Sequence, residues 1–476
     1  MNRTILATAA LVIAASAASA QSQEANIDSL LSRYHAFGQF NGAVLVAEEG
    51  KPLFEKGYGY ANREWQIPNT PRTKFRLGSI TKQFTSMLVM QQVQKGTISL
   101  DAPVSRYLAS YPGPRGDSVT IRQLLSHTAG VPNYTEFVDF RRDRRAYIVD
   151  QLIATFSGRP LDFVPGTGWK YSNSGYVLLG AVLEKVTGMP YERLLEANIL
   201  GPLGMTNTGY DHSEEILPNR AAGYAWVGRM VNATFIDMSV PFSAGALYST
   251  VEDLLLWDRA LYRDRLLSDS LKKIYFTPVR HGYAFGWGVG KEPLGSSTDS
   301  ALFVFHSGGV NGFNTLIVRI PDRRLLIVLL NNTESAPLIA IARSVAGILY
   351  GKPYAAPVQS LAQELALTIA HEGIARGLTR YAEMRSKPGD YSIDENEMNQ
   401  LGYEFLRQGK MREAIEVFKM NVDAFPKSWN VYDSLGEAYM NDGQTALAIS
   451  SYEKSLALNP SNANGAEILK KLRGAR

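Results

Sequence analysis

The C-terminal part of the chain repeats itself. Leu401, Gly402, Gly409, Ala414, Ile415 and Pro426 recur 34 positions later as Leu435, Gly436, Gly443, Ala448, Ile449 and Pro460. Phe405 returns as Tyr439, and Phe418 as Tyr452. Eight positions in one register at a fixed spacing are the mark of stacked supersecondary units, each hiding its apolar face against the next. Two such units are few for a free-standing stack. Neighbours are therefore expected at both ends: Gly465–Arg473 at one, and helical segments between Val358 and Arg385 at the other.

The period and the small/aromatic pattern resemble a tetratricopeptide repeat (TPR), a pair of helices. The segment "GKPYAAPVQS" (Gly351–Ser360) precedes it as a linker. The chain divides accordingly into a leader (1–20), a main domain (21–355), a helical linker (356–393) and the repeats (394–474). The leader has Arg3, an apolar run from Ile5 to Ala15, and "ASA" at Ala18–Ala20, the pattern of a cleaved secretory signal. A membrane anchor is the alternative, but the run is short and alanine-rich. A periplasmic or secreted protein without a transmembrane anchor is expected.

The main domain is ordered strand, helix, strand. "GAVLVAEEGKPLFEKGYGYAN" (Gly42–Asn62) predicts a hairpin around "EEGK". "SITKQFTSMLVMQQVQKG" predicts a helix with Phe84, Met87, Leu88 and Val93 at helical spacing and Gly96 at its end. Helical pattern with loops follows from Asp101 to Pro241. "STVEDLLLWDRAL" predicts a helix with a capping box from Ser249 to Glu252. "YAFGWGVG", "ALFVFHSGG", "FNTLIVRI" and "RLLIVLLNN" read as strands, the last two joined by a hairpin at "PDRR". The order predicts one mainly antiparallel sheet built from both ends of the domain, with a helical insertion.

Composition excludes several chemistries. The chain has no cysteine, so thiolate nucleophiles, disulfides and thiolate metal sites are absent. Its six histidines show no metal-ligand spacing. The net charge of +4 over 476 residues, with no basic aromatic tract, argues against nucleic acid.

Ser-x-x-Lys occurs at Ser79/Lys82, Ser270/Lys273 and Ser451/Lys454. A serine needs a base, and positions i and i+3 share a helix face. A buried lysine loses solvation, and its depressed pKa fits it for that work. At a helix start Ser79 would also offer a free backbone N–H to an oxyanion. Ser451 and Lys454 fall inside a repeat helix. Ser270 is followed by strand pattern. Only after Ser79 do Tyr171-x-Asn173 ("WKYSNSGY") and His306-x-Gly308 ("FHSGG") follow in order, on expected helix, loop and strand.

Ser-x-x-Lys, Tyr-x-Asn and (Lys/His)-x-Gly in this order resemble the penicillin-recognising serine hydrolases. The pattern is most similar to class C β-lactamases, DD-peptidases, D-aminopeptidases and related esterases, over about Ile27 to Tyr350. The resemblance implies an α/β fold of β-lactamase/transpeptidase type. This is an antiparallel sheet flanked by helices plus an all-helical subdomain, followed here by an all-α TPR segment. It implies Ser79 as the acylated nucleophile, Lys82 and Tyr171 sharing the base work, and Tyr171 protonating the leaving group. His306 would complete the proton network. Asn173 would hold Lys82 and the substrate amide. Ser307, Gly308 and Gly309 would bind substrate, with the Ser79 and Gly309 N–H groups forming the oxyanion hole. No cofactor or metal is implied.

His306 stands where class C β-lactamases carry a lysine, which removes a cation for the β-lactam carboxylate. Peptide or ester substrates are therefore ranked above β-lactams. A catalytically weak scaffold whose repeats bind a protein is the alternative. The repeats are read as binding a partner or a second copy of the chain. Of the remaining residues, His127 is read as a loop hydrogen-bonder. Trp169 and Trp287 suit core and pocket wall equally, and Tyr134 suits core better than cleft.

Overall fold

The computed structural model describes residues 22–109, 111, 113–138, 144–387 and 389–474. The expected signal segment lies outside them. Among the described residues, no helix is long and apolar enough to cross a membrane.

The chain forms two compact units. The first comprises the residues up to Tyr224 and Asn232–Ala355; the second comprises Ala225–Val231 and Ala356–Arg476.

The first unit is built on a six-stranded antiparallel sheet. Its spatial order is Gly288–Pro293, Ser300–Val310, Phe313–Ile320, Leu325–Asn331, Gly42–Glu48 and Lys51–Tyr58. The first and last parts of the unit thus meet at Gly42–Glu48 and Leu325–Asn331, with Val44 opposite Leu329 and Val46 opposite Ile327. Alternate residues face opposite sides. Ala43, Leu45 and Ala47 join one apolar cluster, whereas Val44 and Val46 join the other. The second cluster is closed by a helix over residues 22–36 and by Leu338–Leu349. Both faces are covered, so the inner strands read as nearly unbroken apolar runs.

The expected turns form. Glu49 and Gly50 take left-handed φ of 53° and 72° between the first two strands. Residues 321–324 turn the chain from Phe313–Ile320 to Leu325–Asn331. Two local expectations shift. The helix Val251–Leu261 is capped by Thr250, whose hydroxyl accepts from Asp253 N at 3.2 Å. Ser249 is the last residue of a short strand, and its hydroxyl pairs with Thr208 instead. The strand expected over "YAFGWGVG" begins only at Gly288. Gly286 has a φ of +79°, and a Cβ there would lie 2.8 Å from Lys82 O, so Tyr283–Trp287 forms a turn pressed on the helix behind it.

That helix, Thr81–Gln94, is buried on all sides through Gln92. Some of its polar groups are bonded internally: Thr85 Oγ1 donates to the Ser243 carbonyl at 2.6 Å, and Gln83 Oε1 accepts from Trp257 Nε1 at 3.1 Å. The helix is thereby fixed on every side, which suits a segment that carries chemistry at its start.

The second unit contains helices Leu361–Glu372 and Ile374–Arg385, then Glu395–Arg407 with Met411–Ala424, and Trp429–Asn441 with Thr445–Leu458, closed by Ala463–Gly474. The repeated glycines explain the period. A Cβ on Gly402 would lie 2.5 Å from the Phe418 ring, and one on Gly436 would lie 3.1 Å from Tyr452. In each pair the glycine lets the partner helix's aromatic ring pack on backbone. Helices of residues 356–393 share this core through Leu361, Leu365 and Ile374. The segment Ala225–Val231 packs there too: Trp226 lies against the cluster, and Arg229 Nε donates to Glu404 at 2.7 Å.

Candidate active site

Gly78–Ile80 form a single 3₁₀ turn ahead of Thr81–Gln94. Ser79 therefore sits at the mouth of the helix, one turn before Lys82. The turn lies against the strand Ser300–Val310 at a distance that only glycine allows. A Cβ on Gly308 would fall 1.9 Å from Leu77 O, and one on Gly78 would fall 2.7 Å from Gly309 N. Thr315 Oγ1 donates to the same Leu77 carbonyl at 2.7 Å. Ser79 and Gly309 line one cavity of about 590 Å³.

Lys82 is fully buried. Its Nζ lies 3.0 Å from Ser79 Oγ, 2.8 Å from Asn173 Oδ1 and 2.8 Å from the Ala244 carbonyl. Burial holds its pKa well below the ordinary lysine value. Asn173 Oδ1 and the Ala244 carbonyl can only accept, so they take two of its N–H groups. The third position on Nζ faces Ser79 Oγ, which accepts an N–H from the ammonium and can donate to the lone pair of the neutral amine. Asn173 is oriented for this, since its Nδ2 points to Thr135 Oγ1 at 3.4 Å and its N–H donates to Asn133 at 3.1 Å. When the amine takes a proton, the faces of Tyr171 and Tyr176 lie 4.8 and 5.4 Å from Nζ and favour the cation.

Tyr171 lies in the loop just before the helix Asn173–Thr187. Its hydroxyl is buried outside hydrogen-bond geometry with any described group. Burial pushes its pKa up, and the neighbouring Ser79 hydroxyl offsets this in part. It is therefore held as a phenol, able to give a proton to an atom that bonds it.

His306 is buried on the strand beside Tyr171, with ring centroids 6.2 Å apart. Its nitrogens face elsewhere. Nδ1 lies 2.6 Å from the Ser307 carbonyl, which can only accept, so Nδ1 carries the proton. Nε2 then accepts from the Tyr283 hydroxyl at 2.8 Å. Burial lowers its pKa to about 3. His306 is thus neutral, and its link to Tyr171 runs through packing and Tyr283. On the alternation of the strand, Ser307 and Gly309 are exposed while His306 and Gly308 are buried.

The sequence did not single out Tyr283, the Ala244 carbonyl or Glu136. Tyr283 comes from a turn and Ala244 from a short helix, neither at a recognisable spacing. Tyr134 both lines the cavity and is buried, its hydroxyl bonded to Val240 O at 2.6 Å. Trp287 is core, and Trp169 joins an aromatic group with His127 and Tyr283. Apolar lining comes from Phe137, Val138, Ile236, Val240 and Val310. Among the described residues, the charged side chain lining the cavity is Glu136, which pairs with Lys170 at 2.8 Å. No group of described residues could hold a metal ion.

Residues 27–348 match the beta-lactamase family profile, and residues 430–462 match a tetratricopeptide repeat. The chain is 32% identical over 362 residues to Penicillin-binding protein 4* of Bacillus subtilis (strain 168), covering 71% of this chain and 78% of that protein. Among solved structures it is similar to an octameric penicillin-binding protein homologue from Pyrococcus abyssi, with a TM-score of 0.60 at 28% identity over 69% of this chain and 77% of that one. It is also similar to a D-stereospecific amidohydrolase from Streptomyces sp., with a TM-score of 0.58 at 27% identity over 69% and 98% of the two chains.

Proposed function

The chain belongs to the beta-lactamase family and is a serine hydrolase of that fold, and from that premise we propose that it cleaves amide or ester bonds through an acyl group on Ser79, with D-amino acid peptides or amides and short esters preferred over β-lactams. The observation that carries this reading is the Lys82 amine, desolvated and aimed at the Ser79 hydroxyl.

In the proposed sequence, Ser79 Oγ attacks the substrate carbonyl carbon and its proton passes to Lys82 Nζ. The carbonyl oxygen becomes an oxyanion, met by the N–H groups of Ser79 and Gly309. Tyr171 gives its proton to the leaving nitrogen or oxygen as the C–N or C–O bond breaks, and recovers one from Lys82. Water then attacks the acyl-serine, loses a proton to Lys82, and releases Ser79 with its proton restored. Asn173 keeps Lys82 in place and bonds the substrate amide, and Ser307 and Gly308 present the strand edge.

The substrate ranking rests on charge. His306 is neutral, and the charged side chain described in the cavity lining is a carboxylate. A β-lactam carboxylate finds no described cation there, whereas an amine or a neutral ester meets no penalty. The name of the Streptomyces relative points the same way.

The test compares nitrocefin, a D-Ala-D-Ala peptide and a p-nitrophenyl ester in steady state, with a fluorophosphonate label mapped to Ser79. Labelling with ester or peptide turnover supports the reading. Rapid nitrocefin turnover with neither of the others overturns the ranking, and no acylation by any probe restores the scaffold alternative. We also propose export, on the N-terminal pattern, and binding of a protein partner or a second copy by the repeats, on their helical-pair architecture.

A further inference from the structure

His127 is buried beside the site, yet none of the steps above uses it. It is 2% exposed and takes a φ of +60°, a left-handed conformation that residues with a side chain rarely adopt. The chain holds it there for a geometric reason. The His127 carbonyl accepts from Lys170 N at 3.0 Å, and its Nδ1 accepts from Ser172 N at 3.2 Å. These are the two residues flanking Tyr171. Its ring also lies on the Tyr171 ring, with centroids 4.3 Å apart and planes at 42°.

Because Nδ1 accepts a peptide N–H, the neutral ring carries its proton on Nε2. That N–H is buried with no partner. An uncommon backbone conformation and an unpaired buried donor in one residue are costs that a fold retains where the geometry matters.

We propose that His127 is the positioning residue of Tyr171: it clamps the peptide on each side of the tyrosine and fixes where the phenol delivers its proton. This rests on the reading of Tyr171 as the leaving-group acid. It goes beyond that reading by naming what sets the acid's position.

The test uses leaving groups. A p-nitrophenyl ester releases an anion that needs little protonation, whereas an amide must be protonated to leave. Loss of acid positioning therefore lowers kcat on a D-amino acid amide more than on the ester. His127→Phe keeps a ring and removes the acceptor. His127→Asn tolerates the left-handed backbone and places Oδ1 where Nδ1 was.

Each variant is measured beside Tyr171→Phe, with fluorophosphonate titration counting active sites. His127→Phe is expected to lower the amide-to-ester kcat ratio about tenfold or more, within the range of a lost general acid, with KM little changed. His127→Asn is expected to keep that ratio within about threefold of wild type. An unchanged ratio in folded His127→Phe, or an equal loss in both variants, overturns the proposal. If His127→Phe does not fold, His127→Leu, which also lacks the acceptor, takes its place: a lowered ratio supports the clamp and an unchanged ratio overturns it. Failure of the underlying reading looks different, since Tyr171→Phe would then leave the ratio unchanged.

Discussion

Ser79/Lys82 and Ser451/Lys454 have the same spacing, and in both the lysine lies on a helix. They share little else. Lys82 is fully buried and bonded to Ser79, Asn173 and the Ala244 carbonyl. Lys454 is exposed, its Nζ 6.0 Å from the Tyr432 ring, while Ser451 packs beside Gly436 between repeat helices. Ser270 and Lys273 are both exposed on Asp269–Phe276. Helix geometry brings serine and lysine to one face in principle; desolvation and fixed acceptors decide whether the amine is a base. A motif of two residues therefore acquires chemistry from parts of the chain more than 90 residues away.

The largest test of this contrast is Ser79→Ala. It is expected to abolish covalent labelling and reduce turnover by about 10³ or more, while Ser270→Ala and Ser451→Ala leave turnover within about twofold. Steady-state kinetics and intact-mass labelling read it out. Comparable losses from Ser451→Ala would erase the distinction between the two regions.

Lys82→Met sharpens the contrast, because it separates function from stability. Removing the base is expected to cost about 10²–10⁴ in rate. The sign for stability is opposite. Folded Lys82 has a depressed pKa, so from that value up to the ordinary lysine value the unfolded chain binds more protons. Stability from this group therefore rises with pH across that window, and at neutral pH its burial is a cost. Lys82→Met is expected to be inactive with a higher Tm at pH 7. A lower Tm would mean that its three hydrogen bonds outweigh desolvation. Lys454→Met should change neither rate nor Tm appreciably.

A smaller effect concerns acid. His306 has a folded pKa of about 3, against about 6.5 in an unfolded chain. Between those values the unfolded state holds the extra proton, so this contribution is full above pH 6.5 and is lost as pH falls toward 3. His127 is shifted in the same direction, mainly by burial. Thermal melts should therefore begin to weaken near pH 6, above the carboxylate range, and His306→Gln should flatten that slope. An unchanged slope in His306→Gln would show that protonation of His306 is not coupled to unfolding.

How much of this was legible depended on whether a feature is local. The helix after Ser79, the hairpins at Glu49–Gly50 and 321–324, and the small/aromatic period of the repeats are written in neighbouring residues. Motif order placed Tyr171 on a loop and His306 on a strand, as found, whereas Ser79, expected on the helix, lies in the 3₁₀ turn just ahead of it. What stayed hidden depends on tertiary approach. Tyr283 reaches His306 only because Gly286 lets its turn press on the Lys82 helix. The Ala244 carbonyl has no side-chain signature at all. The cap moved from Ser249 to Thr250 because Thr208, 41 residues away, claims the serine hydroxyl. His127 was expected to bond within its own loop; its ring instead accepts from Ser172 N, 45 residues away, and that placement across both flanks of Tyr171 needed coordinates.

The smallest expected effect on catalysis comes from deleting the repeats. A chain ending near Tyr354 keeps both apolar clusters of the first unit and all the residues around Ser79. It loses the helices against which Ala225–Val231 packs. Trp226 then loses its apolar cover, and Arg229 loses Glu404, an ion pair whose arginine is 63% exposed and is therefore worth little by itself. On the partner reading, kcat/KM on a small ester should stay within about twofold, because none of the chemistry lies in the deleted part. Binding or self-association measured by light scattering should disappear. Trp226 fluorescence gives an independent signal, since its exposure should rise whether or not turnover changes. If the truncated chain aggregates or loses ester turnover, the repeats serve the hydrolase itself and the partner reading fails. Loss confined to turnover, with Tm retained, would point to Ile236 and Val240, which follow Ala225–Val231 in sequence and line the catalytic cavity.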